Sequence, residues 1–262
     1  MRARVCLFTL ALGACQQAPL PFPSGRLVDL SHPYDSLTIY WPTDTLGFRL
    51  ERLFEGVTER GYFYAANRFA TAEHGGTHLD APIHFAQGGW RADEIPLDRL
   101  LGPAVLIDVS DSCAQNRDYQ VQVADLQAWE RAHGRIPDGA IVLLRTGMGR
   151  FWPDRTRYLG TALRGPEALA RLSFPGLHPE AAQWLVRERA IKAIGIDTPS
   201  IDYGRSEDFQ SHRILAARNI PAFENVANLE ALPPKGAYVV ALPMKIRGGS
   251  GGPLRILAIV PP

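Results

Sequence analysis

His74-Gly75-Gly76-Thr77-His78-Leu79-Asp80-Ala81-Pro82-Ile83-His84 places three histidines and an aspartate within eleven residues of a chain that has seven histidines in all. The glycine pair argues against a helix, where each glycine costs backbone entropy. A glycine-rich bend leading into an extended stretch fits better. In such a stretch His78, Asp80, Pro82 and His84 share one face by the period of two, and the bend returns His74 to the same point. Two imidazoles and a carboxylate supply three metal ligands and leave a fourth position for water, the arrangement that catalytic zinc needs. A loop with ordinary hydrogen bonds would account for one histidine. It does not account for three, interleaved with an acid and a proline.

Short apolar runs rich in β-branched residues recur on both sides of this segment. Residues 27–30, 62–69, 104–109, 140–144, 191–196, 238–242 and 254–260 read as strands. Helical spacing covers 124–133, which stops at Gly134, 179–189, which opens on a proline, and 211–217. Strands outnumber helices and no linker divides the chain. The expectation is an α/β fold, a mixed, strand-rich single domain over 27–262. The 21 prolines and 24 glycines also favour strands and shaped loops over a helical bundle.

Composition narrows the function classes. The 28 basic and 27 acidic residues leave a net charge of +1, which points to no nucleic acid and no disordered acidic tail. The N-terminus differs from the rest. A cationic start, Met1-Arg2-Ala3-Arg4, precedes an apolar run from Val5 to Ala14 that is too short to span a bilayer, which takes roughly 20 apolar residues. The run has the length of a signal-peptide core, and Leu12-Gly13-Ala14-Cys15 resembles a bacterial lipobox. Residues 1–14 are therefore expected to be a signal peptide and the proline-rich stretch 15–26 a tether lipidated on Cys15. The protein would then sit in the bacterial cell envelope, anchored on the periplasmic side or exported. Cys113 alone remains in the domain, so no internal disulfide and no cysteine-held metal is expected.

His-Gly-Gly-Thr-His-Leu-Asp-Ala-Pro-Ile-His-Phe resembles the signature of the cyclase-like metal-dependent hydrolases, a family that includes bacterial kynurenine formamidases and isatin hydrolases. By that resemblance His74, His78 and Asp80 bind metal and His84 transfers protons. Ser211-His212-Arg213-Ile214-Leu215 and Phe223-Glu224-Asn225 match a later histidine and a glutamate twelve residues on. His212 and Glu224 would complete a second metal position with Asp80 as the bridge. Without the resemblance, a polar helix face and a solvated loop explain these two residues equally well. Trp41-Pro42 occupies the place of a Trp-Pro pair that lines the substrate pocket. The resemblance implies a fold of the swivelling β/β/α type, zinc, two per chain, with manganese also compatible with mixed N/O ligands, and a homodimer or higher homo-oligomer.

The implied reaction is hydrolysis of a C–N amide bond in a small aryl amide, an N-formylkynurenine-like formamide or an isatin-like lactam. Metal-activated water attacks the carbonyl and His84 passes the proton to the leaving nitrogen. Trp41, with Phe151 or Trp152 as further candidates, would stack an aromatic ring, against the alternative of plain core packing. Residues 149–176 resemble the longer, isatin-hydrolase-like members more than the compact formamidases. The rival reading is an envelope lipoprotein that binds a ligand or metal without catalysis, and His84 speaks against it. Elsewhere, His32 reads as a turn histidine, His133 and His178 as helix-end residues, and Asp197 and Asp202 as either supports for the ligands or loop caps. Gly248–Gly252 reads as a flexible turn near the pocket rather than a phosphate loop, since it lacks the lysine.

Overall fold

The computed structural model describes residues 24–262. The expected signal peptide and most of the tether fall outside these residues. Among the described residues no helix is long and apolar enough to cross a membrane. The strands are β1 (Arg26–Asp29), β2 (Arg49–Val57), β3 (Phe63–Ala70), β4 (His78–Asp80), β5 (Leu101–Asp108), β6 (Gln120–Val121), β7 (Ile141–Arg145), β8 (Gly176–Leu177), β9 (Ala193–Ile196), β10 (Ala222–Glu224), β11 (Lys235–Pro243) and β12 (Gly251–Val260). The helices are α1 (Leu97–Leu100), α2 (Ser110–Gln115), α3 (Val123–His133), α4 (Arg155–Leu159), α5 (Pro179–Glu188) and α6 (Gln210–Ala216).

One sheet runs β1-β12-β11-β5-β7-β9-β10-β4, and β4 also pairs with β12, so seven of its strands close a ring. The closure depends on the length of β12. Its residues Leu254–Ile259 pair with β11, while Gly251–Pro253 pair with β4 along the opposite edge. The strands β5, β7, β9 and β10 are parallel, and the remaining pairings of the ring are antiparallel. This is the strand-rich α/β single domain expected from the sequence.

The parallel strands are buried on both faces, which explains their unbroken apolar runs. In β7, Ile141 and Leu143 join the cluster inside the ring with Leu79, Phe223, Val239 and Ile256. Val142 and Leu144 face the other way, onto Leu126 and Trp129 of α3 and Leu185 of α5. The helices therefore sit outside the ring, and the ring interior is filled by side chains. Helix α3 ends at Gly134, whose φ of 93° is costly for any residue with a Cβ. Three strands were not evident in the sequence. β2 is interrupted by charges, and β4 and β10 are three residues each, too short for a period to register.

Candidate metal centre and substrate pocket

Strand β4 carries His78 and Asp80 on one face, as the alternation requires, and all three of its residues are buried. The extension ends there. Pro82–His84 is a 3-10 turn rather than a continued strand, because Pro82 supplies the φ of a helical first position and no N–H for a ladder. The expectation that Pro82 and His84 stay on the strand face is thus corrected: His84 swings off the line of the ligands. His74 is returned by the glycine bend as expected. Gly76 has φ +60°, and a Cβ on Gly75 would lie 2.1 Å from a ring carbon of Tyr40, so both positions require glycine.

The ring then brings in residues remote in sequence. Strand β10 pairs antiparallel with β4, Glu224 opposite His78 and Ala222 opposite Asp80. Helix α6 places His212 beside them. His74 Nδ1 lies 2.6 Å from Asp80 Oδ1, and His78 Nε2 lies 3.1 Å from the same oxygen and 3.4 Å from Glu224 Oε2. His212 Nε2 lies 3.2 Å from Asp80 Oδ2 and 3.0 Å from Glu224 Oε1. Two ligand groups result, His74, His78 and Asp80, and Asp80, His212 and Glu224, the donor atoms of each within 4.8 Å of one another. Asp80 belongs to both.

Each imidazole is turned toward this centre by a bond on its far nitrogen, the usual way a ligand histidine is fixed. His78 Nδ1 donates to the Gly76 carbonyl at 2.9 Å. His212 Nδ1 donates to Asp202 Oδ2 at 2.6 Å, and that carboxylate also accepts the backbone N–H groups of Ser211 and His212. His74 Nε2 donates to Ser250 Oγ at 2.9 Å, and Ser250 Oγ donates to Glu73 Oε2 at 2.6 Å. The 248–252 segment is thereby more than a flexible turn: Ser250 braces His74, and Gly251 and Gly252 are strand residues of β12. Asp197 and Asp202 separate into two roles. Asp202 supports His212, whereas Asp197 accepts from Thr146, Gly147 and Gly149 and caps that loop.

The electrostatics ask for a cation. Burial opposes ionisation of both carboxylates. In Asp80 the surrounding histidines, His74 foremost, outweigh burial and hold the group well below the ordinary range. In Glu224 burial and the charge of Asp80 win and push it up. Burial also opposes the charged forms of His78 and His212, but their carboxylate neighbours raise both. Two carboxylates and two imidazoles, all with under a tenth of their surface exposed, are a donor set that fits a divalent metal.

A cavity of about 290 Å³ opens above the centre, walled by Trp41, Tyr40, Ile39, Phe85 and Phe209. Trp41 meets Phe209 edge-on at 6.1 Å, and Phe209 lies 5.3 Å from Phe85. Trp41 is where the sequence placed it. Phe151 and Trp152 are not in the wall, a correction: Trp152 stacks on His32 with ring centroids 4.2 Å apart, and Phe151 packs under Arg150 and Arg157. Phe85 and Phe209 were missed, although Phe85 adjoins His84 and Phe209 stands three residues before His212. His84 projects into the cavity with Nε2 4.0 Å from Asp80 Oδ2, and it joins neither ligand group. Burial lowers its pKa to about 4 against the pull of Asp80. His133 packs on Trp129, and His178 caps α5 by accepting from the Glu180 N–H.

Fold and centre together define a metal-dependent hydrolase. The chain belongs to the cyclase family, whose model, described as "Putative cyclase", matches residues 28–203. An isatin hydrolase of Roseibium aggregatum is 34% identical over 210 residues, 77% of this chain and 77% of the relative. A kynurenine formamidase of Salinibacter ruber is 28% identical over 229 residues, 87% and 95% of the two chains. The solved structure of isatin hydrolase A from Ralstonia solanacearum superposes with a TM-score of 0.80 at 34% identity, covering 90% of this chain and 92% of that one.

Proposed function

We propose that this enzyme hydrolyses the C–N bond of a small aryl amide, an isatin-like lactam or an N-formylkynurenine-like formamide. The observation that carries the reading is the aromatic cavity of Trp41, Phe85 and Phe209 set directly over the histidine and carboxylate cluster. His74, His78 and Asp80 hold one metal and His212 and Glu224 a second, with Asp80 shared. Zinc suits this set and manganese is compatible with it. A bound divalent ion supplies Lewis acidity, acidifying a water and polarising the substrate carbonyl.

The protein's own groups do the rest. Trp41, Phe85 and Phe209 grip the aryl ring and exclude water from the scissile bond. Asp202, Ser250 and the Gly76 carbonyl keep the ligand imidazoles in the required tautomer. His84, neutral near pH 7, takes a proton at the reacting atoms and returns it to the leaving nitrogen, which cannot depart as an amide anion. A binding protein needs no such group, so catalysis is preferred over ligand storage. We also propose the envelope location, through a lipid on Cys15. The test is turnover of isatin and of N-formylkynurenine by the metal-loaded chain from Cys15 onward. Activity on neither, with metal bound, rejects the aryl amide reading.

A further inference from the structure

Strands β2 and β3 form a hairpin that pairs with no other strand. Apart from Gly56 and Ala66, every residue in both strands is exposed. The side chains are not those of a solvated ribbon. Leu50, Leu53, Val57, Tyr62, Phe63 and Phe69 are 53–69% exposed. Cross-strand partners share a face, so Leu50 with Phe69 and Val57 with Phe63 form an apolar side. Phe54 and Tyr64 stand on the other side with ring centroids 5.9 Å apart. A lone two-stranded hairpin is marginal in water, and soluble monomers rarely leave more than a few hundred Å² of contiguous apolar surface open. These eight side chains expose on the order of 800 Å², the share that each partner contributes to a protein interface of standard size.

We propose that this hairpin is the docking surface for a second copy of the chain, in a twofold dimer. Three observations favour that occupant. The area matches what a stable dimer needs. The charges are interleaved and nearly balanced, Arg49, Arg52, Arg60 and Arg68 against Glu51, Glu55 and Glu59, with Arg68 paired to Glu51 at 2.7 Å and Arg52 to Glu55 at 2.9 Å. Such a surface meets its own copy without net repulsion, as a self-complementary interface requires. An anionic lipid surface, which recruits clusters of lysine and arginine, finds no such excess here. The outer edges of β2 and β3 are also free to pair across the twofold axis. The stem of the hairpin leads directly to the metal centre: Thr71 follows β3, bonds Tyr40 of the pocket wall at 2.5 Å, and precedes His74 by three residues. A partner seated on the hairpin thus steadies the chain that enters the site.

Sedimentation velocity on the chain from Cys15 onward, without lipid and at micromolar concentration, tests this. The wild type should sediment at twice the mass of one chain. The double variant Val57→Lys/Phe63→Glu, changed on the apolar side alone, should weaken association by ~100-fold or more. Leu97→Glu, an equally exposed leucine outside the hairpin, should leave the dimer intact. A monomeric wild type, or a double variant that dimerises as well as the wild type, overturns the proposal. So does a monomeric wild type that floats with anionic phospholipid vesicles while the double variant does not, since the surface would then be a lipid contact. Should the double variant misfold, hydrogen exchange on the wild type decides: protection of amides 49–70 must rise with protein concentration, and constant protection overturns the dimer.

Discussion

The imidazole of His84 lies flat on that of His74, ring centroids 3.8 Å apart and planes 16° from parallel. The stack keeps His84 at the rim of the centre, within a substrate atom's reach of it, while His74 Nδ1 keeps its place against Asp80. Two histidines of one short motif therefore differ in kind. His78→Ala should lose metal, stability and activity together, because metal binding is coupled to folding. His84→Ala should keep metal and fold while turnover drops by roughly 10²–10⁴. Metal analysis of both purified variants checks this. Equal loss of metal would make His84 a ligand and send the search for the proton donor elsewhere.

Asp80 is shared by both ligand groups, so the saturated protein should hold about two metals per chain, as two-metal hydrolases do. Glu224→Ala removes a donor from the His212 side and should release one metal more readily than the other. The readout is stoichiometry on titration with metal. A wild type that saturates at one metal would show that the second group is not a site.

Asp202 fixes His212 through a 2.6 Å bond to Nδ1. Asp202→Asn keeps the shape but offers an amide that can leave the wrong imidazole nitrogen protonated. Metal affinity should fall by about 10–100-fold, with a native circular dichroism spectrum. Asp197→Asn serves as the comparison: it should cost stability through the Thr146–Gly149 loop and leave metal affinity nearly unchanged. Equal metal loss in both variants would contradict the separation of roles.

His32 is buried against Trp152, and burial, partly opposed by Asp29, lowers its pKa from 6.5 to about 4. A lowered histidine pKa means that the native state favours the neutral ring, and the unfolded chain takes up the proton first as pH falls. The contribution to stability is therefore fully present above pH 6.5 and is lost as pH falls toward about 4. Relative to His32→Gln, the wild type should lose on the order of 1–3 kcal/mol more over that window. Denaturant melts of the two proteins at several pH values measure it. Parallel stability curves would rule the effect out.

Export rests on Leu12-Gly13-Ala14-Cys15. Cys15→Ser should abolish labelling with a fatty-acid probe and leave unprocessed precursor. Equal labelling, or a wild type found wholly in the cytoplasm, defeats the lipoprotein proposal.

The sequence by itself determined the local parts of this protein. The glycine pair, the alternation of His78 with Asp80 and the break at Pro82 are short-range steric facts, and each is readable within a few residues. The strands β5, β7 and β9 were legible for the same reason, since burial on both faces leaves an unbroken apolar run. Tertiary structure decided which distant groups join them. His212 and Glu224 reach Asp80 only because β10 pairs with β4 and the ring closes on β12, pairings between residues well over a hundred positions apart. The spacing of His212 and Glu224 carried a signal only through resemblance to a family. The roles of Asp197 and Asp202, five residues apart, diverge because one turns beneath the Thr146–Gly149 loop and the other reaches the start of α6. Phe85 and Phe209 replace Phe151 and Trp152 in the cavity wall for a similar reason. Aromatic residues look alike in a sequence, and only packing determines whether a ring faces the core or a cavity.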